Sequence, residues 1–258
     1  MPELRIPFDP CNPGQFYACC GLIELFELSG AQTLSKFVVN WKRPREATFV
    51  LASDAALELG AIANAVREAR YKPLQRPEAE DKTPETDSIA PAQVAIFGRE
   101  IVLDWWLGWF RQKASQLKCW AGQVTTQKLI CVLPALLAGE NLSFDEGVPT
   151  TTRFGIDPRS AWVALNLGYS PNEQGQESRT YPVVEMLGAF GLQGFRPAGS
   201  RAEGFTYHLW LTPLPRVVAR SVCARSWPGC ESAAYRFSLG VRGSYKYFSF
   251  AEPVTSSS

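Results

Sequence analysis

Few residues in this 258-residue chain have the types and spacing that catalysis requires. The single histidine, His208, lies in an alternating, strand-like segment, where a histidine is more often structural than a general base. A nuclease or other hydrolase would also have to bring Asp104, Asp157 and Glu185 together from distant parts of the sequence. The sequence contains no metal-ligand cluster, nucleophile elbow or phosphate-binding lysine loop. We therefore predict a protein with no catalytic residues, no metal and no cofactor, and keep a hydrolase as an alternative.

A turn near the N-terminus is the first candidate binding feature. Asn12-Pro13-Gly14-Gln15 joins a short strand to a helix of small and apolar residues. Asn12 is a favourable helix cap, and Pro13 suits the first helical turn. The positive end of the helix at Asn12, Gly14 and Gln15 favours an anion and could act in assembly. Alternatively, the turn only sets the angle at which the chain enters the helix.

Arginine is unusually frequent in the later part of the chain. From Pro149 onward there are ten arginines, one lysine and seven acidic residues, although the whole chain has a net charge of +1. Arginine is favoured where a planar cation binds phosphate or carboxylate, and a GC-rich genome would produce the same bias. The candidate nucleic-acid-binding residues are Arg153, Arg159, Arg196, Arg242 and Lys246. Arg159 has an equal structural alternative, which is an ion pair with Asp157.

The cysteines predict a reducing compartment. There are seven, two of them adjacent, and none has CxxC spacing. The start of the sequence lacks the basic segment and apolar run of a secretory signal. These features predict a cytoplasmic protein whose thiols pack as small core residues. No apolar run approaches the roughly 18 residues that span a bilayer, so we expect no membrane partner.

Hydrophobic periodicity predicts an α+β chain that folds as a single compact unit over residues 1–258. Strand, helix, strand, strand and helix within residues 1–104 form most of a ferredoxin-like (RAMP- or RRM-like) unit, with Val94–Phe97 or Ile101–Asp104 as its fourth strand. The polar residues 71–91 predict an exposed, mobile loop, with an ordered lid as the alternative. Residues 105–258 predict a helix followed by a mainly antiparallel sheet.

Several later segments have a specific predicted structure. A helix is expected over Gly122–Leu137 and a shorter one over Tyr181–Phe190. The polar residues Ser170–Ser178 predict a loop. Alternation of apolar and polar residues predicts strands; these are Thr150–Phe154, Trp162–Leu167, Phe205–Leu211, Val217–Val222, Tyr235–Gly240 and Tyr245–Phe250.

Aromatic residues allow two interpretations. The tryptophans of one segment could stack on bases or fill a core or protein interface; they are Trp105, Trp106, Trp109 and Trp120. Gly240–Phe248 mixes glycine, arginine and aromatic residues. That mixture occurs in nucleic-acid-binding loops and also suits an ordinary hairpin turn.

Four segments form a recognisable set. They are Asp9–Leu22 (DPCNPGQFYACCGL), Asp104-Trp105-Trp106, Leu117–Gln123 (LKCWAGQ), and Arg153–Trp162 (RFGIDPRSAW) continuing to Glu185–Pro197. Together they resemble the small Cas proteins encoded in type I-U CRISPR loci, also named type I-G. The resemblance extends over roughly Leu4 to Pro197 and does not include the rest of the chain.

The resemblance implies a RAMP-like or large-subunit-like component of a Cascade surveillance complex in antiviral defence. In RNA-guided complexes, base pairing reads the target while protein subunits hold backbones and displaced strands. The implied partners are other Cas proteins and CRISPR RNA, target DNA or both, and the family pattern contains no catalytic motif. The alternative is a structural or accessory Cas protein that binds only other Cas subunits.

Overall fold

The computed structural model describes residues 1–77, 79, 82–137, 142–161, 179–225, 227–242 and 245–254. In these ranges the protein is a mixed α/β chain with antiparallel sheets, in agreement with the predicted α+β class. The helices are α1 (Pro13–Leu28), α2 (Leu59–Glu68), α3 (Thr126–Ala135), α4 (Pro182–Gly194), α5 (Arg216–Ala224) and a short 3-10 helix (Pro158–Ala161). The first strands are β1 (Glu3–Phe8), β2 (Thr33–Val39), β3 (Ala47–Ser53), β4 (Arg70–Pro73), β5 (Ala92–Ile96), β6 (Arg99–Leu103), β7 (Val148–Pro149) and β8 (Arg179–Thr180). The remaining strands are β9 (Ala198–Ser200), β10 (Gly204–Trp210), β11 (Leu214–Pro215), β12 (Ser232–Phe237), β13 (Leu239–Arg242), β14 (Tyr245–Phe248) and β15 (Glu252–Pro253).

Two four-stranded antiparallel sheets contribute to the core. The first has the order β1-β3-β2-β11, and its register pairs Ile6 with Phe49 and Phe37 with Phe49. The second has the order β15-β12-β10-β9, and its register pairs Tyr207 with Tyr235. Alternate residues of these strands are buried, as expected for sheets that cover a core on one face.

The ferredoxin-like prediction is met only in its first strands. The order β1-β3-β2, with α1 between β1 and β2, agrees with that unit. Both candidates for the fourth strand instead form β5 and β6, which pair with each other and with β4 in a separate three-stranded sheet. In the described chain the far edge of the first sheet is extended by β11, so a complete ferredoxin-like unit is not confirmed.

A buried pair of helices connects the early and late parts of the chain. α1 is buried on almost every side, which explains why its sequence is apolar all round. It packs against α4 at two glycines, where a Cβ atom on Gly21 would overlap the carbonyl oxygen of Leu187. A Cβ atom on Gly191 would overlap the carbonyl oxygen of Tyr17 in the same way. Only glycine therefore permits this close approach of the two backbones.

Two predicted strands differ from the structure. Val217–Val222 lies in helix α5, because the buried side chains Ala219, Val222 and Cys223 follow helical spacing while Val217 is exposed. Thr150–Phe154 forms no strand, because the backbone amide of Phe154 donates to a buried carboxylate instead of a neighbouring strand. The predicted strand Trp162–Leu167 and the predicted loop Ser170–Ser178 lie outside the described residues.

The described residues of the segment 71–91 include both exposed and buried side chains, so the predicted exposure is present only in part and the predicted mobility stays a prediction. Tyr71–Pro73 completes β4, and Ala79 and Ala90 are buried. Arg76 and Asp87 are also buried and form an ion pair at 2.5 Å. The polar composition therefore includes an internal charge pair as well as solvated residues.

No helix among the described residues is both long and apolar enough to cross a membrane.

Candidate nucleic-acid interface

A buried carboxylate in the first turn of α4 holds the loop before the 3-10 helix. Glu185 is fully buried, and its oxygens accept hydrogen bonds from the backbone amides of residues 154, 155, 156 and 157 at 2.8–3.4 Å. Burial raises the pKa of Glu185 to about 7, and these amide donors oppose the rise. Glu185 therefore fixes the position of residues 154–157. Two predicted site residues flank this stretch, Arg153 before it and Arg159 after it.

Asp157 joins this loop to the N-terminus of α1. Asn12 donates from Nδ2 to the Asp157 carboxylate at 3.0 Å, and its Oδ1 accepts from the Gln15 amide at 3.2 Å. A Cβ atom on Gly14 would lie 2.8 Å from Asp157 Cα, so the turn and the loop are in close contact. Gln15 accepts from the Asp9 amide at 2.7 Å. The turn thus has the contacts of a helix entry, and its role in anion binding or assembly stays a prediction.

Arg159 is bound within the same network. Its guanidinium makes a forked contact with Asp157, at 2.7 Å for the shortest ion-pair distance, and a second ion pair with Asp145 at 2.8 Å. The guanidinium also lies over the ring of Tyr181, 3.7 Å from its centroid. The structural alternative for Arg159 is therefore present, and all three of its side-chain nitrogens donate to groups of the chain. We call Asn12, Asp157, Arg159 and Glu185 the polar hub.

A cleft of about 1000 Å³ lies beside the polar hub. Asn12, Gln15 and Arg159 line it, so the structure does bring these predicted residues together. Its charged lining is balanced, with three cations and three carboxylates; they are Lys42, Arg45, Arg159, Asp9, Glu46 and Asp145. A polyanion would find little net attraction here, because nearby carboxylates cancel the cations.

The other predicted cations are separate from this cleft. Arg153 donates to the carbonyl oxygen of Ser160, which fixes it along the loop. Arg196 is partly exposed and lies 3.6 Å from Asp104. Arg242 belongs to β13, and its side chain lies outside the described part of the structure.

Lys246 belongs to a second group of charges that the sequence did not indicate. Its backbone amide donates to the carbonyl oxygen of Cys119 at 2.9 Å, which brings β14 next to Lys118. Burial raises the pKa of the Cys119 thiol, while Lys246, Arg201 and Lys118 each oppose that rise. The three cations therefore lie near Cys119, and the Arg201 guanidinium also donates to the carbonyl oxygen of Gln116 at 3.1 Å. We call Lys118, Arg201 and Lys246 the basic cluster.

Within the basic cluster, the ammonium group of Lys118 has a lowered pKa and close contacts with Trp120. Its ammonium donates to the carbonyl oxygen of Trp120 at 2.6 Å and lies 4.8 Å from the centroid of that ring. Burial and the nearby charge of Lys246 lower the pKa of Lys118 to about 8. None of the three cations forms an ion pair with a described residue, which distinguishes them from Arg159.

The residues of the hydrolase alternative have separate partners. Asp157 and Glu185 lie together in the polar hub, whereas Asp104 accepts from Arg111 at 2.9 Å and from Gln193 at 3.0 Å. His208 lies on β10, with Nδ1 3.4 Å from the carbonyl oxygen of Cys223. In the ranges described above, no group of three or more His, Cys, Asp or Glu side chains could hold a metal ion.

Three of the four candidate tryptophans belong to the core. Trp105, Trp106 and Trp120 are buried around Phe154, with ring centroids 5.4–6.1 Å apart. Trp120 Nε1 donates to the carbonyl oxygen of residue 88 at 2.7 Å, which helps to hold the segment after Asp87. Trp109 differs from them because its side chain is exposed.

No protein-family model, curated protein or solved structure matches this chain.

Proposed function

We propose that this protein is a non-catalytic, cytoplasmic subunit of a type I CRISPR RNA-guided surveillance complex. It contacts guide RNA, target DNA or both, and its other partners are Cas proteins. In this proposal the β1-α1-β2-β3-α2 part is a RAMP-like, ferredoxin-related unit whose fourth strand has moved to another sheet. The runner-up is a structural subunit that contacts only other Cas proteins, which the exposed apolar side chains Val217 and Trp227 would suit.

The basic cluster is the observation that supports nucleic-acid binding. Lys118, Arg201 and Lys246 come from three distant parts of the chain and approach the backbone around Cys119. None of the three forms an ion pair with a described residue, and Asp87, whose charge acts on Lys118, is itself paired with Arg76. Their charges therefore remain available to a ligand. A cluster of this kind supplies affinity for phosphates even when the whole chain is close to neutral.

Lysine and arginine suit this role through counterion release. Each phosphate contact releases condensed cations from the nucleic acid, so affinity falls steeply as salt rises. The backbone that carries the cluster is fixed, because the Phe248 amide donates to the carbonyl oxygen of Gly155 at 3.0 Å. Glu185 in turn holds Gly155, so the polar hub supports the position of the basic cluster.

The proposal is tested on the whole complex assembled with guide RNA. The double variant Lys118→Ala/Lys246→Ala is expected to weaken target binding and to reduce the log–log salt slope by about one unit for each lost contact. The matched control Lys72→Ala/Lys128→Ala removes two exposed lysines elsewhere and should keep both values.

Two results would contradict the proposal. If Lys118→Ala/Lys246→Ala assembles and retains the affinity and salt slope of the wild type, the scaffold function is favoured. Arg153→Ala/Arg196→Ala tests the predicted arginines in the same assay, and an unchanged slope would remove them from the interface.

A further inference from the structure

A short hairpin after β6 presents two aromatic side chains to solvent. Leu107 and Ala114 pair across its base, and the Gly108 amide donates to the carbonyl oxygen of Lys113 at 2.8 Å. At its end, Trp109 is 94% exposed and Phe110 is 77% exposed. Because both side chains are exposed, they give the fold little of the stabilisation that burial would provide. Two adjacent exposed aromatic side chains instead form an apolar surface that a partner can contact. We call residues 109–113 the aromatic tip.

The buried side chain of Arg76 holds the backbone of the aromatic tip in place. Arg76 pairs with Asp87 and also donates to the carbonyl oxygens of Arg111 at 2.9 Å and Gln112 at 3.2 Å. Arg111 adopts a φ of 55°, which a residue with a side chain rarely occupies. Its guanidinium pairs with Asp104 at 2.9 Å, which adds a second fixed point. A tip held in one conformation loses little entropy when it binds.

Cations continue from the aromatic tip toward the basic cluster. Lys113 is exposed within the tip, and five residues further along the chain lies Lys118. Five residues span at most about 17 Å, the length of about five stacked nucleotides. Between them, Gln116 accepts from the Arg201 amide at 2.6 Å. Three described acidic residues near this path each have a partner: Asp104 pairs with Arg111, Glu203 bonds to Ser200, and Asp87, whose charge acts on Lys118, pairs with Arg76.

We infer that Trp109 and Phe110 form a stacking site for unpaired bases of a single-stranded nucleic acid, with its phosphates on Lys113 and the basic cluster. The inference rests on the proposed function, because it assigns the strand type that the same surface takes. Every base has a π-face, so an exposed aromatic pair beside a basic path binds single strands without sequence preference. Positive charges flank these aromatic side chains, which favours a polyanion over an apolar protein surface.

The experiment measures binding of the full chain to a fluorescein-labelled oligonucleotide, as a single strand and as the matching duplex. Trp109→Ala/Phe110→Ala should lose about 5- to 150-fold in single-strand affinity for each stacked base. Its duplex affinity and salt slope should stay as in the wild type, because the phosphate contacts remain. The conservative variant Trp109→Phe keeps a stacking ring and should therefore keep most of the wild-type affinity for the single strand.

Trp41→Ala is the matched control, since Trp41 is also exposed but lies in the cleft beside the polar hub. If Trp109→Ala/Phe110→Ala keeps the single-strand affinity of the wild type, the stacking site is overturned. It is also overturned if this variant still binds the oligonucleotide but no longer binds Cas proteins or lipid vesicles, because the aromatic tip would then contact one of those partners. A wild-type chain that binds no oligonucleotide, alone or in the complex, would instead overturn the proposed function.

Discussion

The polar hub and the basic cluster both contain cations close to a buried part of the chain, but they differ in what surrounds those cations. In the hub, Arg159 meets two carboxylates and an aromatic ring. In the basic cluster, Lys118 and Lys246 lie near each other and form no ion pair with a described residue, and the nearby Asp87 is already paired with Arg76. An ion pair in the hub stabilises the fold, whereas two nearby lysines destabilise it slightly and strengthen the attraction for an anion.

This difference separates structural cations from candidate binding cations. The arginines of the later sequence looked equivalent because residue type alone does not show the partner. A phosphate could bind Arg159 only by breaking its ion pair with Asp157. That would leave the buried Asp157 carboxylate without its cation, which is costly. Lys246 forms no ion pair with any residue that the structure describes. A cation without a carboxylate partner is therefore a better candidate than one selected by sequence neighbourhood.

The largest expected effect is that of Glu185→Ala. The change leaves four buried amides without their acceptor, and each unsatisfied donor costs about 1–3 kcal/mol. We expect the free energy of unfolding to fall by about 4 kcal/mol or more in urea denaturation. The control variant Glu203→Ala removes an exposed carboxylate and should change the free energy of unfolding by less than about 0.5 kcal/mol. Equal stability of the two variants would mean that the hub does not hold the loop.

Arg159→Ala and Lys246→Ala test the comparison directly. Arg159→Ala should destabilise the protein by about 3 kcal/mol, because Asp157 remains buried with no guanidinium. Its salt slope for oligonucleotide binding should not change. Lys246→Ala should keep its stability within about 0.5 kcal/mol and reduce the slope by about one unit. If each variant shows the other's result, the assignment of the two regions is reversed.

The pH dependence of stability should depend on Glu185. Its folded pKa of about 7 lies above the usual 4.3 or so, so the folded state binds this proton more tightly. The contribution is fully present below about pH 4 and is lost as pH rises to about 7, by up to about 4 kcal/mol. Relative to Glu185→Gln, which cannot titrate, the wild type should lose stability between about pH 4 and pH 7. Parallel pH curves for the two proteins would contradict the assignment.

A smaller effect is expected from titration of Lys118. Because its pKa is about 8 in the free protein, its positive charge is lost as pH rises from about 7 to 9. Oligonucleotide affinity at constant ionic strength should fall by up to about tenfold, the contribution of roughly one charged contact. Lys118→Ala should make affinity independent of pH in this range. A persistent fall in that variant would assign the titration to another group.

Gln15→Ala should have the smallest effect. It removes the hydrogen bond that Gln15 accepts from the Asp9 amide, so the stability cost is about 1 kcal/mol. Assembly with guide RNA and Cas partners should proceed as in the wild type if the turn is only a helix entry. Reduced assembly at normal stability would instead support the predicted binding role of the Asn-Pro-Gly-Gln turn.

Local sequence signals predicted the structure best where the chain's own neighbours decide it. The cap at Asn12 and the helix that follows are set by residues within one turn, and both are present. The Arg159–Asp157 pair lies two residues apart, and it was one of the alternatives. In α5, exposed valines hid the helical spacing of Ala219, Val222 and Cys223, so a strand was expected.

Features that depend on distant residues could not be predicted. The basic cluster joins Lys118, Arg201 and Lys246, and no periodicity connects those positions. The ion pair of Arg76 with Asp87 lies in a segment whose composition is typical of a solvated loop. The exposure of Trp109 beside three buried tryptophans also has no local signal, because the same residue type occupies both environments.

The glycine contact between α1 and α4 has a consequence for biosynthesis. Gly21 and Gly191 are about 170 residues apart, so the first helix of the chain meets its main packing partner only late in translation. At about 5–20 residues per second, the apolar surface of α1 waits on the order of 10–30 s after it is made. Such long-range pairing slows folding and leaves the nascent chain open to aggregation. We therefore expect that fragments ending before residue 182 do not fold and that expression of the protein depends on chaperones.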